Sequence, residues 1–239
     1  YTWVLDLWPE SLSAAGGINN THILSFFKSF VGKEYKYSDK ILTSSKSFDS
    51  SILEYGKYSN KIVYFPQWSD GETQEITKST FQLPNIPSGF VVMFAGAVGE
   101  AHGMECNMQA ALNTREYKYI KWVIVGDGRK LDWVRQFVKD NSLEETVFTL
   151  GRYPSETMPM FFNVADVLLV SLTDSPLFNM YAPAKISSYM AAARPIVACL
   201  NGEGAEVVNT AGCGWTVPAG DANGLANLII ELSQMEKSE

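Results

Sequence analysis

Residues 166–200 read DVLLVSLTDSPLFNMYAPAKISSYMAAARPIVACL, and this stretch decides the fold. Two short apolar runs, DVLLVSL and PIVACL, enclose a helical pattern that we predict over residues 185–193. Short β-rich runs that alternate with helices are typical of βαβ units, in which a crossover helix joins two parallel strands. The stretch therefore predicts one such unit within an α/β sheet.

The same alternation extends outward from this unit over residues 90–239. Further strands are predicted at VVMFAG, WVIVG, TVFTLG and GWTVP, and further helices at residues 104–112, 130–141, 157–163, 205–210 and 223–235. Ser155, with Glu156 beside it, and Asp221 are predicted as helix N-caps, because their side-chain oxygens can accept a free backbone N–H. Right-handed crossovers then predict a doubly wound parallel sheet.

A smaller α/β pattern precedes this region. Strands are predicted at residues 2–7, 40–44 and 61–65, and helices at residues 23–37 and 47–55. The polar stretch 69–89 carries Pro84, Pro87 and Gly89, which favour a linker. We predict an incomplete first domain over 1–75, a linker over 76–89 and a second domain over 90–239. The first domain is expected to be incomplete because three strands make a small α/β sheet.

Composition limits the partners and the setting. The formal charge of −7 argues against nucleic acid as the main partner, which would require clustered basic residues. The three cysteines, Cys106, Cys199 and Cys213, form no metal-binding spacing, and we interpret them as buried thiols in a reducing compartment. No apolar run approaches the roughly 20 residues that span a bilayer. We expect a cytoplasmic protein, with peripheral contact at the inner membrane face as an alternative.

Glycine-rich turns follow two of the predicted strands. FAGAVGEAHG carries Gly96, Gly99 and Gly103, and VGDG carries Gly126 and Gly128. Ligands of open α/β sheets bind beyond the carboxyl ends of the strands, where such turns let backbone N–H groups approach a phosphate. Neither turn is a dinucleotide fingerprint, and each is about as consistent with a plain structural turn.

The start of the predicted helix 185–193 is a second candidate site. Free N–H groups near Ala182 and Ala184, together with the Lys185 ammonium, would suit a diphosphate. The alternative is a helix packed by its alanines with Lys185 solvated, and spacing alone slightly favours that alternative.

Blocks of sequence in a fixed order resemble the C-terminal domain of GT-B glycosyltransferases of the retaining, family-4 type. They are FAGAVGEAHG, WVIVGDG, TVFTLGRYPSETMP, ADVLLVSL, PAKISSYMAAARPIVA, NGEGAEVV and CGWTVPAGD. The opening WVLDLWPES resembles a late N-domain strand of bacterial members that build polysaccharide or O-antigen units, including the fucosamine transferase group. The resemblance implies a Rossmann-like donor domain preceded by the end of an acceptor domain.

The resemblance also implies an activity: transfer of a sugar from a nucleoside diphosphate sugar to an acceptor hydroxyl in bacterial surface polysaccharide synthesis. We expect this fragment to be inactive alone, with a saccharide or lipid-linked acceptor, no cofactor beyond the co-substrate and no metal. Asp6 and Lys185 are the catalytic candidates. The donor-binding candidates are Gly96, Gly99, His102, Gly126, Asp127, Gly128, Arg152, Pro183, Ala184, Ser188 and Glu203.

Several positions depart from the family pattern. Many members carry a pair of glutamates where this sequence has Met180 and Ser188, and an arginine and lysine pair where it has Ala97 and His102. A non-catalytic module that binds a nucleotide sugar or a partner is therefore the alternative function. Fold alone does not choose between the two.

The acceptor side offers fewer signals. Asp6 and Glu10 could orient an acceptor hydroxyl or, equally, a helix start. The segment SFFKSFVGKEYKY interleaves aromatic residues with Lys28, Lys33 and Lys36, a pattern that suits an anionic membrane surface. Ordinary packing of an amphipathic helix is the favoured alternative.

Overall fold

The computed structural model of the protein describes residues 1–14, 20–69 and 81–235. The first part contains a small parallel sheet. Its strands are β1 (Thr2–Val4), β2 (Ile41–Thr43) and β3 (Ile62–Tyr64), in that spatial order, and its helices are α1 (Glu10–Ala14), α2 (Thr21–Tyr37) and α3 (Phe48–Leu53). A buried cluster that includes Val4, Tyr35, Ile41, Phe48 and Ile52 joins this sheet to α2 and α3.

The larger sheet occupies residues 90–217. Its strands are β4 (Phe90–Ala95), β5 (Ile120–Val125), β6 (Val147–Gly151), β7 (Val167–Ser171), β8 (Ile196–Cys199) and β9 (Gly214–Val217). All pairs are parallel, and the spatial order is β6-β5-β4-β7-β8-β9. This is the doubly wound order in which the connection reverses between the first and fourth strands, here β4 and β7. The crevice beyond β4 and β7 is therefore the expected ligand site.

Helices cover both faces of the larger sheet. They are α4 (Met104–Asn113), α5 (Leu131–Asp140), α6 (Met158–Val164), α7 (Lys185–Ala191), α8 (Glu203–Ala211) and α9 (Ala222–Gln234). Val92 and Phe94 of β4 pack in one core with α4, α5 and α9, whereas Val91, Met93 and Ala95 pack in the other with α6, α7 and α8. Continuous apolar strands are needed because both faces are buried. The predicted α/β doubly wound class is confirmed.

The two helix N-caps predicted from the sequence have different outcomes. The Asp221 prediction is confirmed, since its Oδ1 accepts from the Gly224 N–H at 2.8 Å. The Ser155 prediction is wrong: a 3-10 helix (Ser155–Thr157) precedes α6, and the Ser155 hydroxyl donates to Glu156 instead. α6 begins at Met158, with Pro159 supplying the fixed φ that suits a first turn.

Other helix bounds also differ from the sequence prediction. α2 begins at Thr21 because the Asn20 side chain accepts from the His22 and Ile23 N–H groups at 3.0 and 3.3 Å. α7 ends at Ala191, and Ala193, which we predicted as helical, has a positive φ of 50°. α8 begins at Glu203 rather than at residue 205.

Three further expectations bear on the setting. Cys106 and Cys199 are buried free thiols, whereas Cys213 is half-buried, so the prediction of three buried thiols is wrong for Cys213. Among the described residues, no helix is long and apolar enough to cross a bilayer. The proposed linker 76–89 stays a prediction, because its first residues lie outside the described part of the chain.

Candidate functional site

The turn after β4 packs directly against the turn after β5. The Gly96 N–H donates to Val125 O at 2.9 Å, and a Cβ on Gly126 would lie 1.8 Å from the Gly96 carbonyl oxygen. Gly126 also has a φ of 151°, which L side chains rarely adopt. Glycine is therefore required at Gly126 for the two turns to meet.

Lys185, the first residue of α7, extends its side chain to this turn. Its Nζ atom is buried and has no hydrogen-bond partner among the described residues. It lies 3.9 Å from the centroid of the Phe94 ring, and a Cβ on Gly96 would come within 3.0 Å of it. The predicted convergence of the Lys185 helix with the early glycine turn is present in the structure.

The electrostatic setting of Lys185 is unusual. Burial lowers the pKa of its ammonium to about 7, because water no longer solvates the charged form. The pKa of His102 is lowered to about 4, first by burial and then by the nearby Lys185 charge. At neutral pH His102 is therefore uncharged, and its Nδ1 atom is buried without a partner in the described residues. A buried ammonium that forms no ion pair with the described residues is the complement of an anionic ligand.

An open cavity of about 770 Å³ lies beside Gly96. Its lining includes four predicted donor-binding residues that come from three different turns: Gly96, Gly126, Asp127 and Arg152. The lining residues that sequence reasoning did not assign to the site are Ala97, Val125, Tyr153, Pro154, Ser155 and Met158. The cavity thus joins polar groups from the ends of β4, β5 and β6 to an apolar wall.

The other predicted donor-binding residues are not among the lining residues of this cavity, but their glycines pack within and between the same two turns. A Cβ on Gly99 would be 3.5 Å from His102 Nδ1, and a Cβ on Gly128 would be 2.4 Å from the Val98 carbonyl oxygen. Pro183 and Ala184 precede α7, and Ser188 lies one turn after Lys185.

Asp6 and Glu203 lie elsewhere, where the two sheets meet. The Tyr181 hydroxyl donates to the Asp6 carboxylate. Glu203 is buried, and its carboxylate accepts from the Lys46 N–H at 3.2 Å and the Ser47 hydroxyl at 2.8 Å. The structure therefore does not bring these two predicted site residues to the cavity beside Gly96.

Lys130 also contacts the glycine turn after β4. Its backbone N–H donates to Val98 O at 3.0 Å, and its Nζ forms ion pairs with Glu100, at 3.0 Å, and with Glu105. These carboxylates raise the pKa of Lys130, the Glu105 contact contributing most. The positive charge of Lys130 is already matched by the protein.

Comparisons with known proteins agree with this architecture. The family described as "Glycosyl transferases group 1" matches residues 89–235. The chain is 28% identical over 255 residues to the probable glycosyltransferase WbjE of Pseudomonas aeruginosa, covering 100% of the chain and 61% of that relative. It is 30% identical over 222 residues to the amylovoran biosynthesis glycosyltransferase AmsK of Erwinia amylovora, covering 92% of the chain and 53% of that relative.

Among solved structures, Anabaena HepE in complex with UDP and glucose superposes with a TM-score of 0.72. The superposition covers 98% of the chain and 61% of HepE, at 15% sequence identity, and so establishes a shared fold. The chain thus corresponds to little more than half of the length of each curated relative named above.

Proposed function

The chain belongs to the group 1 glycosyl transferases, and on that premise we propose that it binds a nucleoside diphosphate sugar. We propose further that the whole protein transfers this sugar to an acceptor hydroxyl in the synthesis of a bacterial surface polysaccharide. The relative AmsK, which is named for amylovoran biosynthesis, supports this setting. Turnover is expected of the full-length protein rather than of these 239 residues alone.

The observation that carries the proposal is the unpaired ammonium of Lys185 beside Gly96. A diphosphate in the cleft would accept hydrogen bonds from this ammonium and bring the missing counter-charge. When the bond between the sugar and the diphosphate breaks, negative charge grows on the leaving phosphate oxygen. A positioned cation in a site with little water stabilises that charge strongly, which is how such groups accelerate transfer. Retention of the anomeric configuration stays a prediction.

The cavity beside Gly96 supports the proposal that a nucleoside binds next to the phosphates. Its volume, about 770 Å³, lies in the range of roughly 300–1,000 Å³ that is usual for small-molecule sites. Arg152 and Tyr153 at the end of β6 supply a guanidinium and a ring against which a base could stack. Since HepE is described in complex with UDP, uridine diphosphate is the first probe for this chain.

Contact of α2 with a membrane that carries the acceptor is a separate proposal. Ile23, Phe26 and Phe30 on α2 are exposed by 44%, 68% and 59%, which favours a surface contact over the packed alternative for this face. Lys33 lies seven residues after Phe26 and so on the same side of α2, which suits the anionic inner surface of a membrane that carries a lipid-linked acceptor. Cosedimentation with anionic vesicles tests this, and equal binding of a Phe26→Ser/Phe30→Ser variant would contradict it.

A screen of nucleoside diphosphate sugars for thermal stabilisation tests the donor proposal. A ligand present at about 100 times its Kd stabilises a folded protein by about 2.7 kcal/mol, which is a measurable rise in Tm. We expect stabilisation by a nucleoside diphosphate or its sugar, and much less by the matching nucleoside monophosphate, which lacks the second phosphate. The absence of any nucleoside diphosphate binding would overturn the proposal.

A second candidate is binding without transfer. It is favoured by Met180, which stands where many members have a glutamate and is instead held by the first sheet: the Ser45 hydroxyl donates to Met180 O at 2.5 Å. Donor binding by the full-length protein without transfer or hydrolysis would support this candidate, whereas a glycosylated product would exclude it.

A further inference from the structure

Residues 177–184 lead into α7, and this segment contacts the smaller sheet as well as the larger one. The Tyr181 hydroxyl donates to the Asp6 carboxylate and accepts from the Leu7 N–H at 2.9 Å. Its ring lies 4.9 Å from the Phe48 ring in an edge-to-face arrangement. Leu177, Met180 and Tyr181 therefore pack against the core of the smaller sheet.

A second set of contacts holds the same junction. Glu203 at the start of α8 is only 6% exposed, and its carboxylate accepts hydrogen bonds from the Lys46 N–H and the Ser47 hydroxyl in the turn after β2. The start of α8 also touches the segment, since a Cβ on Gly202 would lie 1.9 Å from the Asn179 carbonyl oxygen. Because a buried carboxylate that loses its donors is costly, these contacts oppose separation of the two sheets.

Tyr181 is close enough in sequence to control the position of Lys185. Only Ala182, Pro183 and Ala184 lie between them, and the proline ring limits the backbone freedom of this connection. The Lys185 ammonium has no hydrogen bond of its own to fix it among the described residues. Its place beside Gly96 must therefore follow from packing and from how the preceding segment is anchored.

We propose that Asp6 and Tyr181 form a latch that positions Lys185 for the donor diphosphate, and that Asp6 acts through Tyr181 rather than on the acceptor. Both are positioning residues in this account. The latch rests on the proposed donor-binding function and deepens it. In this account, the donor site forms correctly only when the smaller sheet is packed against the segment before α7.

Tyr181→Phe and Asp6→Ala test the latch, each alone and combined, because both remove the hydrogen bond between the Tyr181 hydroxyl and the Asp6 carboxylate. Tyr181→Phe keeps the ring against Phe48 and removes only the hydroxyl. Both single variants lose the hydrogen bond to the Asp6 carboxylate, and Tyr181→Phe also loses the one from the Leu7 N–H. We expect each to weaken UDP binding by about tenfold, and the double variant to bind no more weakly than Tyr181→Phe alone. Tyr37→Phe is the matched control, since Tyr37 is 78% exposed and distant in sequence from the latch.

A second readout does not require nucleotide. Pyridoxal phosphate forms an imine with a neutral lysine amine, and borohydride reduction fixes the label. The rate of labelling at Lys185, separated from the other lysines by peptide mapping, therefore reports the protonation state of this amine against pH. Both single variants should shift the midpoint of this profile, which a merely structural role far from Lys185 would not do.

The outcomes separate the two proposals. If wild-type chain fails to bind any nucleoside diphosphate, the proposed function fails, and the labelling profile still decides the latch. If Tyr181→Phe does not fold, Asp6→Ala decides alone. UDP affinity and labelling profiles within twofold of wild type in the folded variants, or fully multiplicative single effects, would overturn the latch.

Discussion

Lys130 and Lys185 both contact the glycine turn after β4, but their charges have opposite surroundings. Lys130 is paired with Glu100 and Glu105, and its pKa is raised. Lys185 has a buried Nζ without a partner in the described residues, and its pKa is lowered to about 7. A folded protein tolerates an unmatched buried charge mainly where a function requires it. The difference indicates which of the two cations is left for a ligand.

The largest expected effect is on nucleotide affinity. Lys185→Met should weaken UDP binding by about 30-fold or more, because it removes a charge-assisted hydrogen bond from a site that contains little water. Lys130→Met, the matched control, should change the affinity by less than about threefold, since its charge is already paired near the surface. Isothermal titration calorimetry measures both, and equal losses in the two variants would remove the distinction.

The next effect is on the pH dependence of binding. Diphosphate favours the charged ammonium and so raises the Lys185 pKa in the complex. UDP affinity should then fall as pH rises above 7, by up to about tenfold per pH unit until the pKa of the complex is reached. Lys185→Arg should abolish this slope, because arginine stays charged. Titrations between pH 7.5 and 9.5 decide this, and a wild-type slope in Lys185→Arg would refute the assignment.

The smallest effect is on stability, where the two lysines should differ in sign. The pKa of Lys185 is lower in the folded than in the unfolded protein, so its burial destabilises the fold. This destabilisation is complete below pH 7 and diminishes as the pH rises toward 10.5. At pH 6, Lys185→Met should raise Tm by about 2–4 °C, whereas Lys130→Met should leave it unchanged or lower it slightly. Thermal melts at pH 6 and pH 9 check the sign, and a loss of stability in Lys185→Met at pH 6 would contradict it.

Much of the fold could be predicted because its signals are local. Each strand of the larger sheet is a short apolar run followed by a turn, and the order of the runs fixes which turns meet. Gly96, Gly126 and Asp127 could be grouped in advance, since carboxyl ends of parallel strands share one edge of the sheet, and the family resemblance added Arg152. The structure brings these four residues to one cavity.

The rest of the site depends on tertiary packing that spacing does not encode. The hydrogen bond between Asp6 and Tyr181 joins residues 175 positions apart, and no periodicity marks either residue as a partner of the other. Spacing also could not distinguish a solvated Lys185 from a buried one, because the burial is created by Phe94 and Gly96. A serine at position 155 suits either a helix N-cap or a 3-10 turn, and the structure has the 3-10 turn before α6.

A crystal structure of the chain with UDP would test the central claim most directly, through the distance from Lys185 Nζ to the nearest phosphate oxygen. We predict a hydrogen bond of about 2.7–2.9 Å, with Gly96 lining the same phosphate and Lys130 still paired with Glu100. UDP bound with its phosphates away from Gly96, and Lys185 still without a partner, would contradict the account.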